Sequence, residues 1–521
     1  MDNVNAYSGA GTSSRLLFAT MRPMGPGAPL RELLVDLAAL GVADLSVVIA
    51  SRSNLELIQE SFKGCALVPR GIGEWPDDSV GPLSSEALEI LPRLTTSDDF
   101  LLFKSQVMTM LNRHDGSGTF RLIDREALFY QLFMNLGGLL IDKGVSHVFF
   151  DITPHVVTEY ITFWVARKLG IPVLFLQPVP WSGLSLPLKD VGVPYQSPKL
   201  IPPPTAGEDS AFRELAAEQF QLLLNRLGQG EATWVKKYLG PEMRKLDDTR
   251  FRPFRVLGNL RALSRKENSV DLSGVVENFG RLNEFVVALL QWAHRRSFVA
   301  TRRAIHPGAV PDKPYLFFAL THEPERTFFP EALPWVSQID AVLAAAGAVR
   351  GSHSIVVKEH ETQYAPGRVG YASRSTHFYR LLRKIPNVFV VSSEKQAGPL
   401  IEGAAGVISA TGTICVEAAI KGVPAYHFGN PWWEGFPGTR KIHDFEAFES
   451  GFPAVDAYNR GNAREFFEGF MGRAIPSTSN VEPALFRTKN AELPDGYELL
   501  EASALTALLT AFLSEGEGPG A

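Results

Sequence analysis

Residues 407–438, VISATGTICVEAAIKGVPAYHFGNPWWEGFPG, decide how this chain is read. A short apolar run leads into a turn of small residues, a helical stretch, a second apolar run and a loop of aromatics and glycines. Strand, turn, helix, strand is the unit of a parallel α/β sheet, and it sets a helix N-terminus at the carboxyl end of a strand. Unbonded N–H groups at such a terminus favour phosphate. Thr411, Gly412 and Thr413 form the predicted turn, where Gly412 permits close approach and the hydroxyls add polar contacts. Glu417 lies four residues after Thr413, off the capping-box offset, and two roles stay open for it. It can accept both hydroxyls of a ribose, or pair with Lys421 at i,i+4 on an exposed face. The pattern G-x-x-x-x-G-K-[ST] is absent, which removes the main support for an ATP-hydrolysing site.

Working outward, the breakers His306, Pro307, Gly308 and Pro314 precede an abrupt strand at residues 315–320 and predict a domain boundary. That strand ends in THEPERT, residues 321–327, which holds His322, Glu323, Glu325 and Arg326. A planar guanidinium such as Arg326 suits phosphate or carboxylate. A metal site is the rival reading, and it is disfavoured because nothing like H-E-x-x-H is present. The next predicted strand, residues 354–358, ends in Lys358, Glu359 and His360. Two polar triplets at the ends of two strands of one sheet open onto the same crevice. Tyr426, His427, Trp432 and Trp433 then sit on a loop able to close over a sugar or a base.

The first half repeats the rhythm. Residues 15–21 and 45–50 read as strands of a parallel sheet, each followed by a helix. In the loop of residues 22–29 that leaves the first strand, Gly25 and Gly27 let backbone approach a ligand, though this is no G-x-G-x-x-G fingerprint. Residues 70–118 are expected to be turns and short helices at the sheet edge, and residues 121–140 a long helix. A strand at 147–151, a helix at 156–169 and a strand at 173–176 follow. They set Asp151, Thr153 and His155 on the ligand edge, with Glu159 one turn further in. Either Asp151 or His155 can take a proton from a hydroxyl, or Asp151 can cap the helix and His155 be a surface residue. Residues 178–204 are Pro-rich and are expected to be a structureless connection bordering a groove.

At 521 residues with 45% apolar content, the chain exceeds one core and predicts two domains. The expected division is a loose 1–14, a first domain 15–305 with a helical, basic insertion at about 208–303, a second domain 306–495, and a helix and frayed tail at 496–521. That helix is in a position to cross back to the first domain. A formal charge of −5 shows no basic bias. Residues 244–266 nonetheless hold eight cations, among them Arg244, Arg255 and Lys266, against Asp247 and Asp248. A solvated surface and contact with an anionic membrane surface both fit, whereas nucleic acid is disfavoured because no aromatics interleave with the charges. Cys65 and Cys415 form neither a disulfide framework nor a C-x-x-C site. A reducing, cytoplasmic setting is expected. No signal peptide is read, and no run has the roughly 20 apolar residues that span a bilayer.

FFALTHEPERTFFPEA, IVVKEHETQY, IPNVFVVSS and the opening stretch, in that order, resemble bacterial capsule and surface-polysaccharide glycosyltransferases related to capsular Kdo transferases. The resemblance runs over about residues 313–438, with a weaker echo in SHVFFDITPH and FLQP. It implies an α/β chain of two Rossmann-like domains facing each other across a cleft (GT-B). It implies an activated sugar on the second domain and a glycan or lipid-linked acceptor on the first. The donor would be a nucleotide-sugar of hexosyl, sialyl or Kdo type, bound without cofactor or metal. Donor roles fall to His322, Glu325, His360, Thr411, Gly412, Thr413 and Glu417. Arg326 and Lys358 would assist the leaving phosphate, with His155 or Asp151 as base. Glu361 stands where the family has Pro after Lys-Glu-His, and Trp433 stands where Tyr is frequent. An epimerase or hydrolase of the same plan, or a non-catalytic binding protein, would share these features. Oligomeric state is not legible.

Overall fold

The structure is a computed structural model, and it describes residues 14–20, 22, 30, 33–35, 43–59, 64–70, 82–114, 121–179, 182–195, 208–229, 289–290, 292–294, 296–298, 310–323, 328–364, 370, 373–393, 395–479, 493 and 495–514. The basic stretch from Arg244 to Lys266, and the loop glycines Gly25 and Gly27, lie outside these residues.

Five strands build the first sheet's parallel core: β1 (Ser14–Ala19), β2 (Ala43–Ala50), β3 (Ala66–Pro69), β4 (His147–Phe150) and β5 (Val173–Val179). Their spatial order is β3-β2-β1-β4-β5. β6 (Leu184–Asp190) extends this sheet antiparallel to β5, with β7 (Val193–Pro194) paired to β6. The second sheet is parallel throughout: β8 (Tyr315–Ala319), β9 (Ser354–Lys358), β10 (Val388–Val391), β11 (Gly406–Ser409), β12 (Ala425–His427) and β13 (Thr439–Lys441). Its order, β10-β9-β8-β11-β12-β13, is the same reversal about the first strand. β4, β8, β9 and β11 are buried at every residue, so they read as unbroken apolar runs, not alternating ones.

In chain order, the helices of the first unit are α1 (Arg52–Ile58), α2 (Ser85–Leu94), α3 (Phe100–His114), α4 (Leu122–Asp142) and α5 (Val157–Lys168). Short helices are expected among the edge turns of residues 70–118, but α2 and α3, of 10 and 15 residues, lie on the sheet face and not at its edge. They join α4 and α5 in a layer on the sheet face, because Phe100, Phe103, Val107, Met110 and Leu111 repeat at helical spacing and all are buried. The acidic and proline residues flanking that stripe had masked it. Phe103 stacks on Trp164 of α5, ring centroids 4.1 Å apart.

Residues 178–204 are likewise corrected: β5 continues to Val179, and β6 and β7 make antiparallel pairings within the Pro-rich stretch. Pro187 cannot donate to a ladder, which is why so many prolines argued against a strand. It is tolerated because it sits opposite Leu176 and accepts from Tyr195 N through its carbonyl (2.9 Å).

The next helices are α6 (Glu208–Gly228), α7 (Gln338–Ala348), α8 (Thr376–Arg383), α9 (Ala397–Glu402), α10 (Ile414–Ile420), α11 (Arg460–Met471) and α12 (Tyr497–Leu513). α6 packs on the second unit, where Phe220 stacks on Phe467 of α11 at 4.7 Å. The chain returns to the first sheet at β14 (Ile475–Pro476), paired to β6 and earlier than the expected boundary at 496. Then α12 covers the face opposite α2–α5, with Leu505, Leu508, Leu509 and Phe512 against Leu16, Phe18, Val48, Phe149 and Leu174. Ser14 Oγ donates to the Leu513 carbonyl at 3.1 Å. Two Rossmann-like units therefore flank a cleft in the GT-B arrangement, and their carboxyl strand edges approach each other. Gln177 of β5 donates to the Asn430 carbonyl beyond β12 (2.8 Å), and Tyr160 of α5 meets Phe329 at 5.4 Å.

Candidate active site

In each sheet the strand order reverses beside the first strand, which leaves a crevice at the carboxyl ends there. In the second sheet that point lies between β8 and β11, and β9 stands on the other side of β8. Beyond β8 the backbone is held by two glutamines. Gln338, the first residue of α7, accepts from Thr321 N (2.8 Å) and donates to Thr321 O (3.0 Å). Gln363 does the same for Glu323, at 2.9 and 2.7 Å. His322, between the two clamps, is buried and meets the ring of His360 edge to face, centroids 6.1 Å apart. Lys358 closes β9 with 6% exposure.

Glu323 and Glu359, on either side of this pair, both bond one guanidinium. Arg374, between β9 and α8, donates to Glu323 and, through Nε, to Glu359 Oε2 at 2.9 Å. Tyr379 Oη donates to the same Glu359 oxygen (2.8 Å) and accepts from Tyr364 (2.9 Å). Glu359 Oε1 accepts the His360 N–H at 3.0 Å. The guanidinium lies over the Phe378 ring, 4.4 Å from its centroid, beside a pocket of about 480 Å³ between α7 and α8. Burial would lower the Arg374 pKa, but Glu323 and Glu359 outweigh it and hold the group firmly charged.

On the β11 side, Ser409 Oγ donates to the Ala319 carbonyl (3.0 Å) and ties the two switch strands together. A Cβ on Gly412 would lie 2.7 Å from that Oγ and would push the hydroxyl off its bond to Ala319. Thr411 is buried, Gly412 half-buried and Thr413 exposed, and Thr413 heads α10 without a side-chain cap. Glu417 is only 7% exposed. Lys421 Nζ lies 3.9 Å from Glu417 Oε1, so the i,i+4 ion pair is built, on a largely covered face and not an exposed one, and the same ammonium hydrogen-bonds Glu402 at 3.0 Å. His427 is held by its Nδ1–H to the Gly429 carbonyl (3.0 Å), and burial depresses its pKa to about 4. Glu325 and Arg326 lie outside the described residues.

On the first sheet the switch lies between β1 and β4. Asp151 follows β4, is 3% exposed, and accepts from Thr20 Oγ1 at 2.6 Å. Its carbonyl accepts from Ser479 Oγ. Arg22 is 4% exposed and reaches Thr478 Oγ1 (2.7 Å), Glu501 Oε1 (2.5 Å) and the Ser479 carbonyl. Burial works against its charge, while Glu501 and then Asp151 raise its pKa. The network thus joins both switch-strand ends to the returning segment. His155 is half-buried, and its Nδ1 donates to the Thr153 carbonyl (2.8 Å), which leaves the ring's lone pair on Nε2 in the neutral form. Glu159 is buried against Arg70 of the β3 end.

The structure therefore brings His322, Lys358 and His360 to one edge, with Thr411 and Gly412 in the turn after the neighbouring β11 and Glu417 on α10 that follows it. Gln338, Gln363, Arg374 and Glu501 were not singled out by sequence. None of the four carries a local signal for its role, since each acts on partners distant in sequence. Among the described residues no three His, Cys, Asp or Glu are placed to hold a metal ion, and no helix is long and apolar enough to cross a membrane. Cys65 and Cys415 are unpaired, and burial pushes the Cys65 thiol up to about 12.

No protein-family model matches the chain, and no curated protein does. Among solved structures it is similar to Thermosulfurimonas dismutans KpsC, beta Kdo 2,7 transferase, at 16% identity and TM-score 0.21, over 35% of this chain and 51% of that one. The match thus spans about half that protein's length. It is similar to the same organism's KpsC, beta Kdo 2,4 transferase, at 14% identity and TM-score 0.24, over 63% and 79%. A third is UDP-GlcNAc 2-epimerase from Neisseria meningitidis bound to UDP-GlcNAc, at 12% identity and TM-score 0.19, over 95% and 99%. Scores this low decide nothing about activity. The fold rests on the chain's own strand orders: two Rossmann-like sheets, each reversed about its first strand, across a GT-B cleft.

Proposed function

We propose that the chain is a glycosyltransferase that moves a sugar from a nucleotide-activated donor to a hydroxyl of a surface glycan or lipid-linked acceptor. The observation that carries this reading is the meeting of His322 and His360, 6.1 Å apart, beside Lys358 and one strand from the Thr411 turn. Cationic and N–H groups so gathered stabilise the charge that grows on a leaving phosphate, which is usually the largest catalytic contribution. Lys358 supplies fixed positive charge, assisted by Arg326. The backbone at Gly412 and Thr413 supplies donors, and buried Glu417 accepts the ribose hydroxyls. His322, Glu325 and His360 line the donor.

His155 is the better base of the two candidates. Its Nδ1–H is committed to a carbonyl, so Nε2 is the basic atom, while Asp151 already takes the Thr20 hydroxyl beside a buried arginine. Closure of the cleft excludes water and limits hydrolysis of the donor. The acceptor, and peripheral contact with an anionic membrane through Arg244 to Lys266, belong to the same proposal.

Calorimetry against a panel of nucleotides and nucleotide-sugars tests it first, followed by turnover with and without glycan acceptors. Binding that is lost in Glu417→Ala, with turnover only when acceptor is present, is the expected result. Turnover without acceptor would make the chain an epimerase or hydrolase. Binding without turnover would make it a binding protein, and no binding at all would end the reading.

A further inference from the structure

One guanidinium holds the two acids that flank the donor-side histidines. Glu323 follows His322 directly, and Glu359 stands between Lys358 and His360. Both are bonded to Arg374, whose side chain is 1% exposed. Glu359 is completed by Tyr379 Oη at 2.8 Å and the His360 N–H at 3.0 Å, and the Glu323 backbone is fixed by Gln363. On its other face the guanidinium is packed against Phe378.

The formal charges of Arg374 and Lys358 cancel those of Glu323 and Glu359. Without Arg374 these groups carry a net negative charge, and buried Glu359 and part-buried Glu323 have no shared cation. Like charges so close are costly, and their field opposes any anionic ligand. Among the described residues, Tyr379 of α8 bonds Glu359, Tyr364 from the turn after β9 bonds Tyr379, and His322, Lys358 and His360 are the immediate chain neighbours of the two acids.

We infer that Arg374 is a positioning residue of this edge, holding Glu323 and Glu359 so that His322, Lys358 and His360 stand together in a field that admits an anionic phosphate. The inference rests on the donor-site reading proposed above for the ligand, but its electrostatic part does not need one.

The test uses the full chain with Arg374→Gln, Arg374→Lys and the double variant Arg374→Gln/Glu323→Gln. Imidazole titrations followed by NMR, without ligand, are expected to move His322 and His360 upward by about half a pH unit or more in Arg374→Gln, because lost positive charge favours the imidazolium. Arg374→Lys should move them less, and the double variant should bring them back. With the best-bound nucleotide-sugar as probe, Arg374→Gln should weaken binding about tenfold at pH 8 and less at pH 6, where protonated histidines restore charge. Wild type should gain less from the same change of pH. Unmoved histidines in a folded Arg374→Gln protein overturn the inference, as does a binding loss equal at both pH values. If Arg374→Gln does not fold, the comparison of Arg374→Lys with Glu323→Gln decides, since the inference requires opposite shifts. Should wild type bind no nucleotide-sugar, the proposed function fails while the titrations still decide the role of Arg374.

Discussion

Glu501→Leu is a direct probe of how the returning segment supports the first sheet. Arg22 and Glu501 meet at 2.5 Å with 4% and 2% exposure, 479 residues apart in sequence. Glu501 Oε1 also accepts from Thr478 N at 2.8 Å. Removing one partner of a buried pair costs about 3–5 kcal/mol, because the other charge stays behind unsolvated. Arg22 would keep its neutral bonds to Thr478 and Ser479 and the attraction of Asp151, so the lower end, about 3 kcal/mol, is expected. Arg22→Met/Glu501→Leu removes both charges and should recover part of that loss. What remains is about 1–2 kcal/mol for the stranded Thr478 N–H.

A two-unit chain need not unfold in one step, so the assay is native-state hydrogen exchange at Val148 and Phe149 of β4, alongside urea unfolding. Equal losses in the single and double variants would refute the ion-pair reasoning and assign the effect to packing of α12. A loss below about 1 kcal/mol in Glu501→Leu would refute it too.

Four further outcomes follow. His155→Gln should lower kcat by about 10²–10⁴-fold and leave donor affinity unchanged, whereas Asp151→Asn should also lower stability through Thr20; steady-state kinetics and thermal melting separate the two. Burial, with Lys441 adding to it, holds the folded His427 pKa near 4, below the unfolded value of about 6.5. Its contribution is therefore intact above pH 6.5 and is lost as pH falls toward 4, by about 3 kcal/mol, and His427→Gln should flatten that slope in urea melts. Gly192→Ala should cost about 2 kcal/mol by thermal melting, since φ is +73° and the new Cβ would lie 2.2 Å from Asn430 Oδ1; Asn430→Ser should recover part of it. Lys358→Met should weaken nucleotide-sugar binding about tenfold or more in calorimetry, with little change in melting temperature.

What the sequence revealed follows from where the signal is local. Parallel strands buried on both faces appear as unbroken runs such as YLFFA and HVFF, and the polar residues after them mark carboxyl ends without any knowledge of neighbours. His322 and His360 could therefore be assigned to one edge in advance. Arg374 could not, because its meaning depends on two acids 51 and 15 residues away, and nothing in RSTHFY announces them. Glu501 is the same case at longer range, a carboxylate on a helix whose other residues look like ordinary core. The glutamines are harder still, since an amide clamping a backbone leaves no charge pattern at all. The groups that touch a ligand tend to sit at predictable strand ends, whereas the groups that hold them there are recruited from whatever segment packs alongside. Arg374 and Glu501 belong to the second kind. Variants at such positions should alter pH dependence and stability before they alter ligand specificity.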